Sequence, residues 1–321
     1  MPLAQGAGIA LRADRLSKRY GDLLAVNELT LEVNEGEVFG LLGPNGAGKT
    51  TAINMMCGLL RPDGGQAYIH GLPVHGAAAD VRARVGVCPQ DIVLWGTLTC
   101  LEQLEFVAAM YDVPRDAARR RALVLLETMG LGEKRGKLAR TLSGGLQRRL
   151  NFIMALVHDP GIVVLDEPEA GLDPQSRVMI REYIKSLSRS KTIILTTHNM
   201  DEADRVADRV AIIDHGSLLV VDTPEQLKRQ AGEGDVLEVE ASGGGPALLE
   251  RATASVAQAM PQASVAASGG TITVRARGAV ELLPVVVKVL RDAGLRPGEV
   301  RLRENTLEDA FIALTGRRLR E

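Results

Sequence analysis

The chain has 321 residues, of which 45% are apolar and only 3% aromatic, with a formal charge of −2 at pH 7. Such a length exceeds what one hydrophobic core usually organises, and the near-neutral balance argues against a general nucleic-acid binder. Cys57, Cys88 and Cys100 lack metal-ligand spacing and leave an odd count, which reads as reduced structural thiols in the cytosol, and no apolar run approaches the ~18 residues of a membrane span.

Between residues 8 and 33, Ala10-Leu11-Arg12-Ala13 and Leu29-Thr30-Leu31-Glu32-Val33 flank the turn-rich Tyr20-Gly21-Asp22, which predicts antiparallel strands. An apolar strand, Val38-Phe39-Gly40-Leu41-Leu42, then runs into Gly43-Pro44-Asn45-Gly46-Ala47-Gly48-Lys49-Thr50, and a helical run from Thr51 to Met56 follows. This is a full phosphate-loop pattern in strand-turn-helix context. Its glycines let successive backbone N–H groups converge on one point, Lys49 can reach the β/γ-phosphates of a nucleoside triphosphate, and the Thr50 hydroxyl can ligate Mg²⁺.

From Asp91 to His158 apolar residues recur three and four apart, as in Leu101 to Val107 and Leu123 to Met129, predicting an inserted helical subdomain. Within it, Arg119-Arg120-Arg121 and Arg148-Arg149 read as solvated helix faces. Leu142-Ser143-Gly144-Gly145-Leu146 opens a helix from Gln147 to Val157, and small residues at a helix N-terminus make an anion-binding surface. Two apolar β-runs come next, Ile162-Val163-Val164-Leu165 and Thr192-Ile193-Ile194-Leu195, joined by an amphipathic helix from Ser176 to Ser188. Strand, helix, strand implies parallel pairing.

The first of these strands ends in Asp166-Glu167, where Asp166 would hold the Mg²⁺ shell and Glu167 would orient and polarise the attacking water. His198, just beyond the second, would emerge on the same sheet edge as a donor for charge developing on the γ-phosphate. A Gly/Ala/Ser-rich composition near Ala231-Gly232-Glu233-Gly234, returning at Gly243-Gly244-Gly245, marks a linker and a loop. The expected domains are 1–230, with the helical subdomain at about 91–158, and 235–321. In the second domain the order strand, helix, strand, strand, helix, strand, helix resembles a small ferredoxin-like α+β sandwich and carries no catalytic cluster.

Taken together, the ordered motifs over residues 9 to about 225 resemble those of ATP-binding cassette proteins. Leu142 to Leu146 is similar to that family's signature, Val87-Cys88-Pro89-Gln90 to its glutamine loop, Asp166-Glu167-Pro168 to its second nucleotide motif, and Ala170-Gly171-Leu172-Asp173 to its D-loop. His198 matches the switch histidine, and Tyr20 the aromatic stacked on adenine. The resemblance implies an α/β phosphate-loop cassette with a mainly parallel core sheet, antiparallel N-terminal strands and a helical insert. It implies ATP and Mg²⁺ as ligands, Glu167, His198 and Lys49 as catalytic groups, and Thr50, Gln90 and Asp166 around the metal. ATP would be bound by Tyr20, the loop from Gly43 through Thr51, Gln90, Ser143, Gly144, Gly145 and Asp173.

By the same resemblance two cassettes pair head to tail, with Ser143 and Gly145 of one completing the γ-phosphate site of the other, which is a second copy or a homologous subunit. Leu146 departs from the Gln often seen in the signature. Glu169 stands where relatives commonly carry a small polar residue; either it crowds Asp166, Glu167 and Asp173 and raises a local pKa or weakens Mg²⁺ binding, or it turns into solvent.

Trp95, the one tryptophan, follows Gln90 at the entrance to the insert. It is either core filler or part of the surface that, in the family, receives a membrane subunit. The tail from Leu307 to Arg317 and the appended small domain resemble drug-exporter ATPases of the daunorubicin-resistance type. Export is therefore expected, with a polytopic transmembrane permease as partner, no nucleic acid, and a peripheral place on the cytoplasmic face of the membrane. The alternative, a soluble cassette acting on ribosomes or DNA, usually brings two cassettes or a long coiled-coil insertion, and a GTPase would carry Asn-Lys-x-Asp; this sequence has none of these.

Overall fold

The computed structural model describes residues 8–75, 81, 83–232 and 234–316, so Glu233 of the linker and Arg317 of the tail lie outside the described residues. These residues form two compact units, one ending at Thr223 and the other beginning at Pro224.

In the first unit β1 (Ile9–Tyr20) and β2 (Leu23–Asn34) form an antiparallel hairpin. β3 (Val38–Leu42) leads into α1 (Lys49–Met56), after which β4 (Gly64–Ile69) and the short β5 (Leu72–Pro73) extend the hairpin into a sheet of order β2-β1-β4-β5. Past β6 (Val85–Cys88), the insert supplies α2 (Cys100–Met110), α3 (Arg115–Thr128) and α4 (Gly144–Met154). β7 (Ile162–Asp166), α5 (Pro174–Leu187), β8 (Thr192–Thr197), α6 (Met200–Val206), β9 (Arg209–Asp214) and β10 (Ser217–Asp222) complete the unit. The second sheet has the order β10-β9-β3-β8-β7-β6, parallel throughout except for β10.

This sheet is covered on both sides, which is why β3 and β7 read as unbroken apolar runs rather than alternating ones. Val163, Leu165, Ile193 and Leu195 point into a core shared with the helical insert and α5. Phe39, Leu41, Val164 and Ile194 point the other way, into a core shared with α1 and the antiparallel sheet. The register sets Leu42 beside Thr197 and Asp166 beside Thr196, so the turn after β3 and the ends of β7 and β8 come out level. That shared edge is where an open α/β sheet places its ligands.

Cys57, Cys88 and Cys100 are free and buried. Burial pushes the Cys57 thiol up to about 12 and that of Cys88 up to about 11, so both stay protonated, as structural thiols do.

The second unit opens with α7 (Pro224–Gln230) and continues through β11 (Asp235–Ser242), α8 (Pro246–Ala259), β12 (Ser264–Ser268), β13 (Thr271–Ala276), α9 (Ala279–Asp292), β14 (Arg296–Arg303) and α10 (Leu307–Thr315). Its antiparallel sheet has the order β12-β13-β11-β14, the ferredoxin-like arrangement, with Leu237, Val239, Ile272 and Val274 packed on Val256, Val286 and Leu290 of the covering helices. A capping box of Thr306 and Asp309 starts α10. Burial would raise the Asp309 carboxyl, but hydrogen bonds from Arg303, Thr306 and Arg275 hold it well below the usual carboxylate range.

Candidate active site

The loop after β3 can turn back sharply because Gly46 and Gly48 adopt left-handed backbone, with φ of +79° and +99°. At Gly48 a Cβ would stand 2.3 Å from the Ala25 carbonyl oxygen, so no larger residue fits there. Lys49 at the first turn of α1 is buried, and its Nζ donates to the carbonyls of Gly43 at 2.8 Å and Pro44 at 3.0 Å. Burial lowers its pKa from the ordinary lysine value, against the opposing pull of Glu167 and Asp166. The loop N–H groups, the N-terminus of α1 and this ammonium make one cationic cradle suited to phosphates.

Asp166 ends β7 and Glu167 follows it, both buried. The Thr196 hydroxyl donates to Asp166 Oδ1, and the Glu167 N–H donates to the same hydroxyl oxygen at 3.0 Å. Glu167 itself has a left-handed backbone, φ +47°, which costs a non-glycine residue ~1–3 kcal/mol and is typical of functional turns. Its two carboxylate oxygens have different partners. Oε1 lies 3.1 Å from His198 Nδ1, and Oε2 accepts from Gln90 Nε2 at 3.4 Å. Lys49, Gln90, Asp166, Glu167 and His198 thus meet on one sheet edge, as the strand order requires.

The other expected contacts lie farther out. Tyr20 ends β1 with its ring half exposed and Lys18 Nζ 5.9 Å from the ring centre, leaving a face open for stacking. Ser143 is the N-cap of α4, but its hydroxyl makes no capping hydrogen bond, and it is exposed along with Gly144. Among the described residues neither is bonded to the cluster at the strand ends. Asp173 caps α5 through the Ser176 N–H at 3.0 Å, and a Cβ on Gly145 would stand 3.5 Å from Asp173 Oδ2. The start of α4 and the D-loop therefore abut within one chain.

The expectation of a solvated face at Arg148-Arg149 is overturned. Arg148 is only 3% exposed, and its guanidinium donates to main-chain carbonyls of Pro89, Gln90, Asp166, Glu167 and Pro168. One turn on, Asn151 Oδ1 accepts from the Val93 N–H at 3.2 Å and its Nδ2 donates to Cys88 Sγ at 3.3 Å. α4 therefore holds the Gln90 loop and the end of β7 with the same face. Arg149 Nη2 donates to Ser176 Oγ at 2.6 Å, joining α4 to α5. A helical pattern alone cannot show this, because which face of α4 is buried depends on segments 18 to 59 residues away.

Glu169 is not turned into solvent, and its pKa is raised as like-charge crowding implies, but the crowding carboxylate is Glu202 rather than Asp166, Glu167 or Asp173. Glu169 is half-buried and hydrogen-bonded to Glu202 of α6, with its charged environment set by Glu202, Arg181 and Arg177. Burial first, and Glu202 second, push its carboxyl up to about 7.

Trp95 is 39% exposed and meets the Phe106 ring edge-on at 5.0 Å. Ile92, Val93 and Met110 are exposed apolar neighbours in the same two segments, the loop after Gln90 and α2. The loop is held from beneath by side-chain amides, since the Trp95 N–H donates to Oε1 of the buried Gln103 at 3.0 Å.

Comparison with known proteins gives a consistent result. The family described as ABC transporter matches residues 26–170. The daunorubicin resistance ATP-binding protein DrrA2 of Streptomyces coeruleorubidus is 38% identical over 312 residues, 97% of this chain and 96% of that relative. The Nod factor export ATP-binding protein I of Ralstonia nicotianae is 39% identical over 318 residues, 98% of this chain and 97% of the relative. Among solved structures, a dimeric ATP-binding cassette in a post-hydrolysis state bound to ADP and Pi superimposes with a TM-score of 0.61 at 26% identity, covering 66% of this chain and 98% of that one.

Proposed function

The chain belongs to the ATP-binding cassette family of transporter ATPases and hydrolyses ATP, and on that basis we propose that it is the energising subunit of an exporter. In this reading it pairs head to tail with a second copy or a homologous subunit and drives a separate polytopic permease from the cytoplasmic face of the membrane. The export-type names of its relatives support the direction of transport. Residues 1–230 would be the cassette domain, with a helical subdomain at about 91–158, and residues 235–321 an accessory domain, while the break between compact units falls earlier, after Thr223.

At the site, Lys49 and the N–H groups of the Gly43 to Thr51 loop would bind the phosphates, with Tyr20 against the base. Oxygen donors of Thr50, Asp166 and Gln90, drawn from three separate element ends, suit a hard divalent ion, and these residues would hold Mg²⁺. When bound, the ion neutralises charge on the β- and γ-phosphate oxygens. Glu167 orients a water and takes up its proton, while His198, steadied on Glu167 Oε1, donates to the γ-phosphate. Ser143, Gly144 and Gly145 of one chain, with Asp173 close by, face the phosphates held by the other.

The exposed apolar cluster of Trp95 and Phe106 beside Gln90 carries the transporter reading, because the loop that touches Glu167 continues directly into that surface. No described helix is long and apolar enough to cross a membrane. Co-purification from native membranes, with mass-spectrometric identification of a polytopic partner, tests the proposal. Recovery with ribosomes or DNA, and none with membranes, would reject it.

A further inference from the structure

Glu169 lies three residues past Asp166, immediately before the D-loop, and among the described residues no donor reaches its buried Oε2. The carboxyl is instead hydrogen-bonded to Glu202, four residues after His198. Glu202 is gripped from α5 by Arg181, whose Nε donates to Oε2 at 2.8 Å and whose Nη2 donates to Oε1 at 2.7 Å. Two carboxyl groups can bond to each other only if one supplies a proton. Since the guanidinium fork donates to both oxygens of Glu202, that residue is the acceptor and Glu169 the donor.

The pair borders a cavity of about 200 Å³ whose lining also includes Glu167, His198 and Arg177. The groups facing Glu169 are thus Glu202 from α6, Arg181 and Arg177 from α5, Glu167 from the end of β7 and His198 from the end of β8. Arg181 is committed to Glu202, and Arg177 Nε to the Leu172 carbonyl at 3.0 Å.

We propose that Glu169 is a positioning residue whose proton latches the D-loop to the segment carrying His198, so that loss of this proton as pH rises releases the segment and slows ATP hydrolysis. An ionised Glu169 would leave three carboxylates around one cavity, and their repulsion falls on α6 and the adjoining His198. The proposal rests on the roles given above to Glu167 and His198. Because the folded chain holds this proton to a higher pH than the unfolded chain does, stability should also fall as pH rises from the ordinary glutamate range through about 7.

Three measurements on the whole chain test the latch. With glutamate labelled at the carboxyl carbon, NMR should show one resonance titrating well above the others in the wild type and missing in Glu169→Gln, whose amide donates to Glu202 at every pH. The nucleotide-free melting temperature should decline with pH across the same range in the wild type and stay level in the variant. The pH profile of kcat should lose its several-fold alkaline fall in Glu169→Gln, with KM for ATP unchanged. The latch is overturned if no glutamate titrates above the ordinary range, if the variant keeps the wild-type kcat profile, or if the change falls on KM. Should Glu169→Gln fail to fold, the wild-type titration and the Glu169→Thr variant decide. Titration and melting require neither catalysis nor a membrane partner, so failure of the latch and failure of the exporter reading are distinguishable.

Discussion

His198 Nδ1 stands 3.1 Å from Glu167 Oε1, joining the ends of two adjacent parallel strands. The Glu167 side chain is 9% exposed and that of His198 is 52% exposed. A carboxylate fixed in the sheet therefore meets an imidazole that is still open to solvent.

Replacing Glu167 with Gln keeps the shape of the site and removes the proton acceptor. The variant should bind ATP, lose ~10²–10⁴-fold in turnover, and accumulate as an ATP-bound dimer on size-exclusion chromatography. Hydrolysis at the wild-type rate would remove Glu167 from its role. Lys49→Ala should instead weaken nucleotide binding on the order of 30-fold, by loss of a charge-assisted contact.

Head-to-tail pairing predicts rescue between two inactive proteins. Ser143→Arg protein mixed with Lys49→Ala protein forms dimers in which one of the two sites has both an intact phosphate loop and an intact signature. Random pairing should restore roughly a quarter of the wild-type rate. A mixture no more active than either parent counts against the shared site.

Arg148 links α4 to the backbone around Gln90 and Glu167 through a planar fork. Arg148→Lys retains the charge but reaches fewer carbonyls, and should lower kcat ~10-fold with little change in KM for ATP. Arg148→Met strands buried carbonyls and should cost about 3 kcal/mol, visible as a lower melting temperature. A Met variant with wild-type melting and turnover would show that these contacts do nothing.

Trp95 is a surface ring rather than core filler, so Trp95→Ala should cost only about 1 kcal/mol of stability through its contact with Phe106. Basal hydrolysis by the isolated chain should persist while association with native membranes drops on the order of 30-fold, equivalent to about 2 kcal/mol of docking energy. Unchanged co-sedimentation with membranes, or a sharply destabilised protein, would take Trp95 out of the interface.

The sequence by itself determined whatever is encoded over short spans. The phosphate loop is legible because its donors occupy eight consecutive residues whose glycines permit only a few backbone paths. The parallel strands announce themselves as unbroken apolar runs, and the second unit's strands and helices by their changing period. Tertiary structure alone decided which charged side chains are buried and what they face. Arg148 looks like any surface arginine on an amphipathic helix until β6 and β7 bring Pro89 and Glu167 against it. The Glu169 carboxyl is pushed up to about 7 only because folding half-buries it and sets Glu202, 33 positions along the chain, beside it. Desolvation and partner geometry come from packing between distant segments, and these terms govern the protonation and hold of a charged group.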